Sequence, residues 1–343
     1  MNSNYKPREI KIDDFYKIIG EREKIKFLLN FAVLAPSTHN TQPWLFKIEQ
    51  FKCKIYYNSH LLLPEADVKK RDLFISMGCA VENLILAAKY FNVFDNIDYD
   101  HLESNEHIAT INFRRFSIQK DKSYQKLIES ILSRRNARGI FGKEVVPEHL
   151  LANIFSVVGD YLTDGISINL VSAKDQIGEL ALLTAEGLKI AYKRSSFRKE
   201  MSHWMTNNFT KRKEGIPGYA LKMPFLLSFI IPGLVRWVDI GPFLAKKNYQ
   251  SLNSAPLIAI ITAESENSLI WLKIGRLAER LFLELNSAGW QTSIFVAAIE
   301  MGFSSEVKKI INTIKEPQFL FAVGRIDSLH QLTPRHPASD KII

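Results

Sequence analysis

The chain has only two cysteines in 343 residues, Cys53 and Cys79, and neither belongs to a CxxC pair. That excludes a disulfide framework and a cysteine-based metal cluster, and no other metal-ligand grouping stands out. Cys79 lies in an apolar run and reads as a small buried hydrophobe. The polar stretch from Met1 to Ile12 has no apolar core of the kind a secretory signal needs, so a reducing cytoplasm is expected. No integral membrane segment is expected either. The most apolar stretch, Met223 to Val238, contains Pro224, Pro232 and Arg236 and is too short to span a bilayer. It retains the option of lying on a membrane surface or covering a pocket. No glycine-rich dinucleotide fingerprint is present, nor a convincing nucleophile triad or acid–base pair, so no catalytic residue is assigned.

What is present is an ordinary globular composition, 46% hydrophobic and 24% charged, with a net charge of +9. The basic residues form small separate groups: Lys69–Arg71, Arg114–Arg115, Arg134–Arg138, Lys211–Lys213, Lys246–Lys247 and Lys308–Lys309. Such a balance favours anionic ligands. Nucleic acid is not the expected partner, because the groups are scattered and no aromatic stacking platform is interleaved with them.

An internal repeat organises the chain. Met77-Gly78-Cys79-Ala80-Val81-Glu82-Asn83-Leu84-Ile85-Leu86 aligns without gaps with Ile274-Gly275-Arg276-Leu277-Ala278-Glu279-Arg280-Leu281-Phe282-Leu283, and Gly, Glu and Leu recur in register. Each stretch has helical apolar spacing and reads as a long buried helix starting near its glycine, where another segment can come close. The flanking elements correspond. A helix at Arg22 to Leu34 and strands at Trp44 to Glu49, Lys54 to Tyr57 and Ile108 to Phe113 match a helix at Pro147 to Val158 and strands at Ile166 to Ser172, Leu257 to Thr262 and Phe319 to Val323. The predicted fold is therefore α+β, with two similar halves at 1–125 and 126–343. The second half carries an extra segment, about 194–253, readable as a lid or as a packed surface excursion.

Three local patterns carry chemistry. The first, Ala35-Pro36-Ser37-Thr38-His39-Asn40-Thr41-Gln42-Pro43-Trp44, lies between a helix and a strand. Pro36 ends the helix and Pro43 forces an extended entry to the strand. The amides and hydroxyls between them suit the alternating donors and acceptors of a flavin pyrimidine, or cap neighbouring helices. His39 reads as a hydrogen-bonding loop residue before a general acid. The second pattern, Arg134-Arg135-Asn136-Ala137-Arg138, offers planar donors matched to a phosphate, or a solvated turn. The third is Val323-Gly324-Arg325 followed by Thr333-Pro334-Arg335-His336-Pro337.

Together these patterns resemble the nitroreductase superfamily of FMN-binding flavoproteins, and most of all its Acg-type subfamily, in which two nitroreductase-like halves are fused. The resemblance covers about Phe27 to Ser339. It implies a nitroreductase-like fold whose halves form an intrachain pseudo-dimer around FMN. The two motifs are divided here: the loop with Gln42-Pro43-Trp44 belongs to the first half and the arginine segment to the second, which implies one complete flavin site per chain. By the resemblance, Arg134, Arg135 and Arg138 hold the phosphate and ribityl end, with Arg335 reaching the phosphate. Ser37, His39, Asn40 and Gln42 contact the flavin, and the region from Arg198 to Gly218 covers it. Two departures stand out. Asn136 replaces a frequent hydroxyl, and His336 follows Arg335 where a second arginine is common. The implied activity is transfer of electrons from NAD(P)H to a nitroaromatic, quinone or similar acceptor. The alternative is FMN sequestration or storage under a closed lid. A monomer or a homodimer is compatible with either.

Overall fold

A computed structural model describes residues 3–99, 106–115, 119–327 and 331–343. None of the candidate site residues lies outside them.

The first half runs α1 (Glu21–Ala32), β1 (Trp44–Glu49), β2 (Lys52–Tyr57), α2 (Arg71–Tyr90), β3 (Phe94–Asp98) and β4 (His107–Phe113). Helix α1 buries Ile25, Leu28, Leu29 and Ala32, the i, i+3, i+4, i+7 stripe of an amphipathic helix. β1 and β2 form a tight hairpin with Trp44 opposite Tyr57 and Glu49 opposite Lys52, and Gln50 takes the left-handed conformation (φ 47°) that such a two-residue turn demands. A short α3 (Gln125–Ser133) leads into the second half.

That half runs α4 (Glu148–Gly159), β5 (Ile166–Val171), α5 (Lys174–Lys193), α6 (Ser195–Trp204), β6 (Met205–Thr206), β7 (Ile216–Pro217), α7 (Leu227–Trp237), α8 (Gly241–Ser254), β8 (Leu257–Ala263), α9 (Ser268–Ser287), β9 (Gln291–Ile294), α10 (Ala297–Glu300), α11 (Ser304–Ile311) and β10 (Glu316–Gly324). Every residue of β8 is buried, as both faces of its sheet are covered by helices.

The two main sheets share one topology. The first is ordered β1-β2-β4-β3 and the second β5-β8-β10-β9, so in each the first, second, fourth and third strands of the half lie side by side. All pairings in both are antiparallel. Equal strand order in two stretches that also share a helix motif is what duplication of one α+β unit produces.

The halves meet along α2 and α9. A Cβ placed on Gly78 would lie 2.1 Å from the Leu272 carbonyl oxygen, and one on Gly275 would lie 2.0 Å from the Ile75 carbonyl oxygen. In the repeat alignment Ile75 corresponds to Leu272 and Gly78 to Gly275, so the contact is self-complementary, like the isologous face of a two-fold dimer. The glycines stand in the middle of their helices, contrary to the expectation that the helices start near them. Their role is to let two backbones cross without side chains between them. This crossing also explains why all of α2 except Lys89 is buried. Among the described residues, α2 is the single helix long and apolar enough to cross a membrane, and it lies within the protein core.

The tail closes the assembly. Ile342 bridges Phe46 of β1 in parallel, and the Ile343 N–H donates to the Phe46 carbonyl. The end of the second half is thereby stitched onto the first.

Candidate functional site

The loop between α1 and β1 is held in an unfavourable backbone shape. His39, Asn40 and Gln42 all have positive φ (52°, 58° and 53°). For residues other than glycine such conformations persist only when neighbouring contacts over-determine them. Those contacts are explicit. The Ser37 hydroxyl accepts from the Gln42 N–H at 2.9 Å, and the Thr38 N–H donates to the Ser76 hydroxyl of α2 at 3.2 Å. Trp44, wholly buried, anchors the far end.

The amides of Asn40 and Gln42 are used to join three distant segments. The Asn40 side-chain amide donates to the carbonyls of Lys213, Gly215 and Pro334, at 3.3, 3.1 and 3.3 Å. Its carbonyl oxygen accepts from Arg335 at 2.6 Å. The Gly215 N–H donates back to the Asn40 carbonyl, and Gly215 has φ of 89° with no room for a Cβ beside the Trp204 carbonyl. Gln42 donates to the Lys213 carbonyl at 2.6 Å and accepts from the His336 N–H at 2.9 Å. Buried Lys341 donates to the Gln42 backbone carbonyl at 2.7 Å, and burial lowers its amine to about pH 8. His336 adds a second tie between insert and tail through Glu214 at 2.9 Å and Asp340 at 3.2 Å, and its hydrogen bond pulls the Glu214 carboxyl down to about 2. The insert is thus clasped onto the loop by the tail.

Behind the clasp lies a buried concentration of guanidinium groups. Arg134 and Arg335 are almost fully buried. Arg335 donates to the Ala35 carbonyl at 3.0 Å, yet its Nε has no partner. Arg8, from the N-terminal arm, donates to the Leu132 carbonyl at 3.2 Å and also keeps an unpartnered Nε. Facing them is one wholly buried carboxylate, Glu279 of α9, 3.4 Å from Arg134 Nε but without hydrogen-bond geometry. The charges do not balance, and the local titration reflects it. Burial, then Arg134 and Arg135, lower Arg8 to about 9. Burial, then Arg8 and Arg134, hold Arg335 well below its ordinary value. Burial raises Glu279 although Arg134 opposes it. Buried cations in excess, with donors unspent, are the chemistry of an anion site.

The remaining predicted residues are distributed around this centre. Asn136 accepts from the Ile294 N–H and the Ala137 N–H donates to the Thr292 carbonyl, so the arginine segment runs beside β9 like an extra strand. Arg135 is partly exposed, its Nε turned to the Ser133 carbonyl at 3.4 Å. Arg138 is partly buried and near enough to His39 to disfavour its protonation; burial first and Arg138 second lower His39 to about 4, and His39 Nε2 has no partner. The structure thus joins Asn40, Gln42 and Arg335 directly, sets Arg134 beside Arg335, and sets Arg138 beside His39. Sequence reasoning did not single out Arg8, Glu279 or Lys341. The recurrence of Glu82 as Glu279 in the repeat was the one available signal for Glu279.

On the other side of the pseudo-two-fold, Glu82 stands where Glu279 does, but its surroundings differ. Arg276 and Arg280 of α9 reach it at 3.0 and 3.9 Å, and Arg276 also donates to the Tyr99 hydroxyl. Buried Tyr161, from the loop after α4, lies in the same group. Here each buried charge is met by protein.

No family model matches the chain. It is similar to two Mycobacterium tuberculosis proteins named as putative NAD(P)H nitroreductases. One is 22% identical over 312 residues, 89% of this chain and 86% of the relative. The other, acg, is 22% identical over 333 residues, 92% and 94% of the two. An uncharacterized protein of the same organism is 24% identical over 329 residues, 91% of each. Among solved structures, the FMN-dependent nitroreductase NfnB from Mycobacterium smegmatis, in complex with NADPH, is 20% identical with a TM-score of 0.42, over 64% of this chain and 97% of that one. The chain thus has an α+β fold built from two like halves and is similar along nine-tenths of its length to proteins named as putative NAD(P)H nitroreductases.

Proposed function

We propose that the protein binds one FMN per chain and uses it as an NAD(P)H-dependent oxidoreductase acting on a nitroaromatic, quinone or similar acceptor. The observation that carries this reading is the buried guanidinium pair Arg134 and Arg335, with partly buried Arg8 beside them, around the buried carboxylate Glu279 and next to the loop from Ala35 to Trp44. Unspent guanidinium donors fit a phosphate monoester, and the adjoining loop fits a polar heteroaromatic edge. In this reading Arg134, Arg135, Arg138 and Arg335 hold the phosphate end, joined by Arg8. Ser37 and His39 line the ring side, while Asn40 and Gln42 act through the clasp that positions the loop. FMN, when bound, supplies the hydride and electron transfer. The chain's own part is to fix it, exclude water and present one face. The two halves are 1–125 and 126–343, with the lid-like segment at about 194–253.

One observation favours a second reading, FMN sequestration with little turnover. The insert is tied to the loop by Asn40, Gln42 and His336 at once, which favours a closed cover. The deciding experiment is the visible spectrum of the purified protein, followed anaerobically as NADPH and then NADH are added. A flavin band that bleaches quickly supports the oxidoreductase. A band that persists supports sequestration. Failure to bind added FMN refutes both.

A further inference from the structure

Among the described residues, half of the exposed large apolar side chains fall in one short part of the chain. Phe209, Phe225, Leu226, Leu227, Phe229, Ile230, Leu234, Trp237, Val238 and Phe243 are each 42–76% exposed. The rest are scattered along the sequence and need no explanation. α7 turns only Ser228 and Val235 fully inward. Phe209, Phe225 and Phe229 pack against each other with ring centroids 5.0–6.0 Å apart, so they form a continuous surface. α7 and α8 meet at 115°, so the apolar face turns a corner between them.

Along residues 211–250 the charges are mostly of one sign. Between residues 211 and 250 the basic side chains are Lys211, Arg212, Lys213, Lys222, Arg236, Lys246 and Lys247; the acidic ones are Glu214 and Asp239. Lys213 pairs with Asp340 and Arg212 with Glu214, which His336 also engages, and Asp239 accepts from the Gly241 N–H of α8, so Arg236, Lys246 and Lys247 are the cations nearest the apolar face. Arg236 lies over the exposed Trp237 ring, 5.2 Å from its centroid. An isologous contact between two copies through this face would bring together two surfaces that both carry Arg236, Lys246 and Lys247, and like charges oppose that. An anionic bilayer meets both features, accepting the aromatic and aliphatic side chains at the acyl boundary and the lysines at the headgroups.

We propose that the corner formed by α7 and the start of α8 is a peripheral docking surface for anionic phospholipid membranes, lying in the interface without crossing the bilayer. This placement is independent of what the flavin site does. Pro242 in the first turn of α8 prevents α7 from continuing into it, and the 115° bend keeps the pair from forming one span.

The test is flotation of the full-length protein with phosphatidylcholine vesicles, with and without about 30% phosphatidylglycerol. Binding is expected with the mixed vesicles, and at least tenfold weaker with phosphatidylcholine alone or in about 0.5 M salt. The triple substitution Phe225→Ser, Phe229→Ser, Trp237→Ser removes only exposed groups. It should lower partition at least tenfold while leaving the melting temperature in place. Lys246→Glu with Lys247→Glu should lower it without touching the apolar face. The proposal is overturned if mixed vesicles fail to bind the protein, or if the triple variant floats as well as the parent. It is also overturned if light scattering finds a dimer that the triple substitution dissociates, since a second copy would then be the occupant.

Discussion

Replacing Glu279 by glutamine removes the one negative charge among Arg8, Arg134 and Arg335 while keeping the side-chain shape. Breaking one partner out of a buried ion pair costs about 3–5 kcal/mol. Unfolding entropy of ~2.1 cal/mol/K per residue over 343 residues is roughly 0.7 kcal/mol/K. The ligand-free variant should therefore melt ~4–7 °C below the parent. Adding FMN should reverse the order of sensitivity. At ~100-fold above its Kd a ligand contributes ~2.7 kcal/mol, about 4 °C for a chain of this size, and the increment should be larger in the variant, where the phosphate no longer shares the guanidinium groups with a carboxylate. Far-UV circular dichroism melts, with and without FMN, read both effects. If the ligand-free variant melts within about 1 °C of the parent, the charge imbalance derived from the structure is wrong. If FMN adds no more to the variant than to the parent, the cluster is not where the phosphate sits.

Asn40→Ala removes three donor bonds and leaves Arg335 without its carboxamide acceptor, so a loss of ~2–4 kcal/mol is expected, with faster tryptic cleavage at Lys211 to Lys213 in a time course. His39 is held near 4 in the fold against an ordinary 6.5, so between those values the unfolded chain binds the extra proton and stability falls as pH drops from 6.5 to 4. His39→Asn should flatten that slope by about 2 kcal/mol, the ring being only partly buried, as urea melts across the window would show. Gly78→Ala and Gly275→Ala should each cost ~3 kcal/mol or more by prying α2 from α9, and denaturant midpoints for the two should fall by similar amounts if the pseudo-two-fold contact is real.

The sequence repeat was legible because Gly78 and Gly275 do the same steric job, and a glycine needed for backbone contact leaves a mark at a fixed register. The strands missed in the two main sheets, β3 and β9, lie at the ends of their strand orders, and the two-residue β6 and β7 were missed as well. The sequence of β3, Phe94–Asp98, is mostly polar, with Phe94 and Ile97 alone packing partly against the core, and β9 is four residues long, too short for alternation to register. In the site, Asn40 and Gln42 were conspicuous as amides, but a sequence cannot say whom an amide addresses. Their partners are backbone carbonyls of Lys213, Gly215 and Pro334, and backbone has no signature in composition. Arg8 was invisible for a related reason. It lies at the chain's start, far from every motif, and matters only because the fold brings it to Arg134 and Arg335.

The glutamate that recurs in the repeat sits in two different surroundings. At Glu82 the positions that correspond to Cys79 and Asn83 are Arg276 and Arg280, and their side chains cross to neutralise it. At Glu279 the corresponding positions, Cys79 and Asn83, supply no charge, and the arginines arrive instead from the Arg134 segment, the tail and the N-terminal arm, three where one would suffice. A buried carboxylate met by cations from its own helix pair is a closed structural network. A buried carboxylate outnumbered by cations from three separate segments is stable only if something else negative shares the space, or if the protein tolerates the strain until it does. With Arg276 and Arg280 closing the Glu82 side by ion pairs, the arginine segment present only in the second half and the Gln42-Pro43-Trp44 loop only in the first, a flavin titration is expected to end at one equivalent per chain.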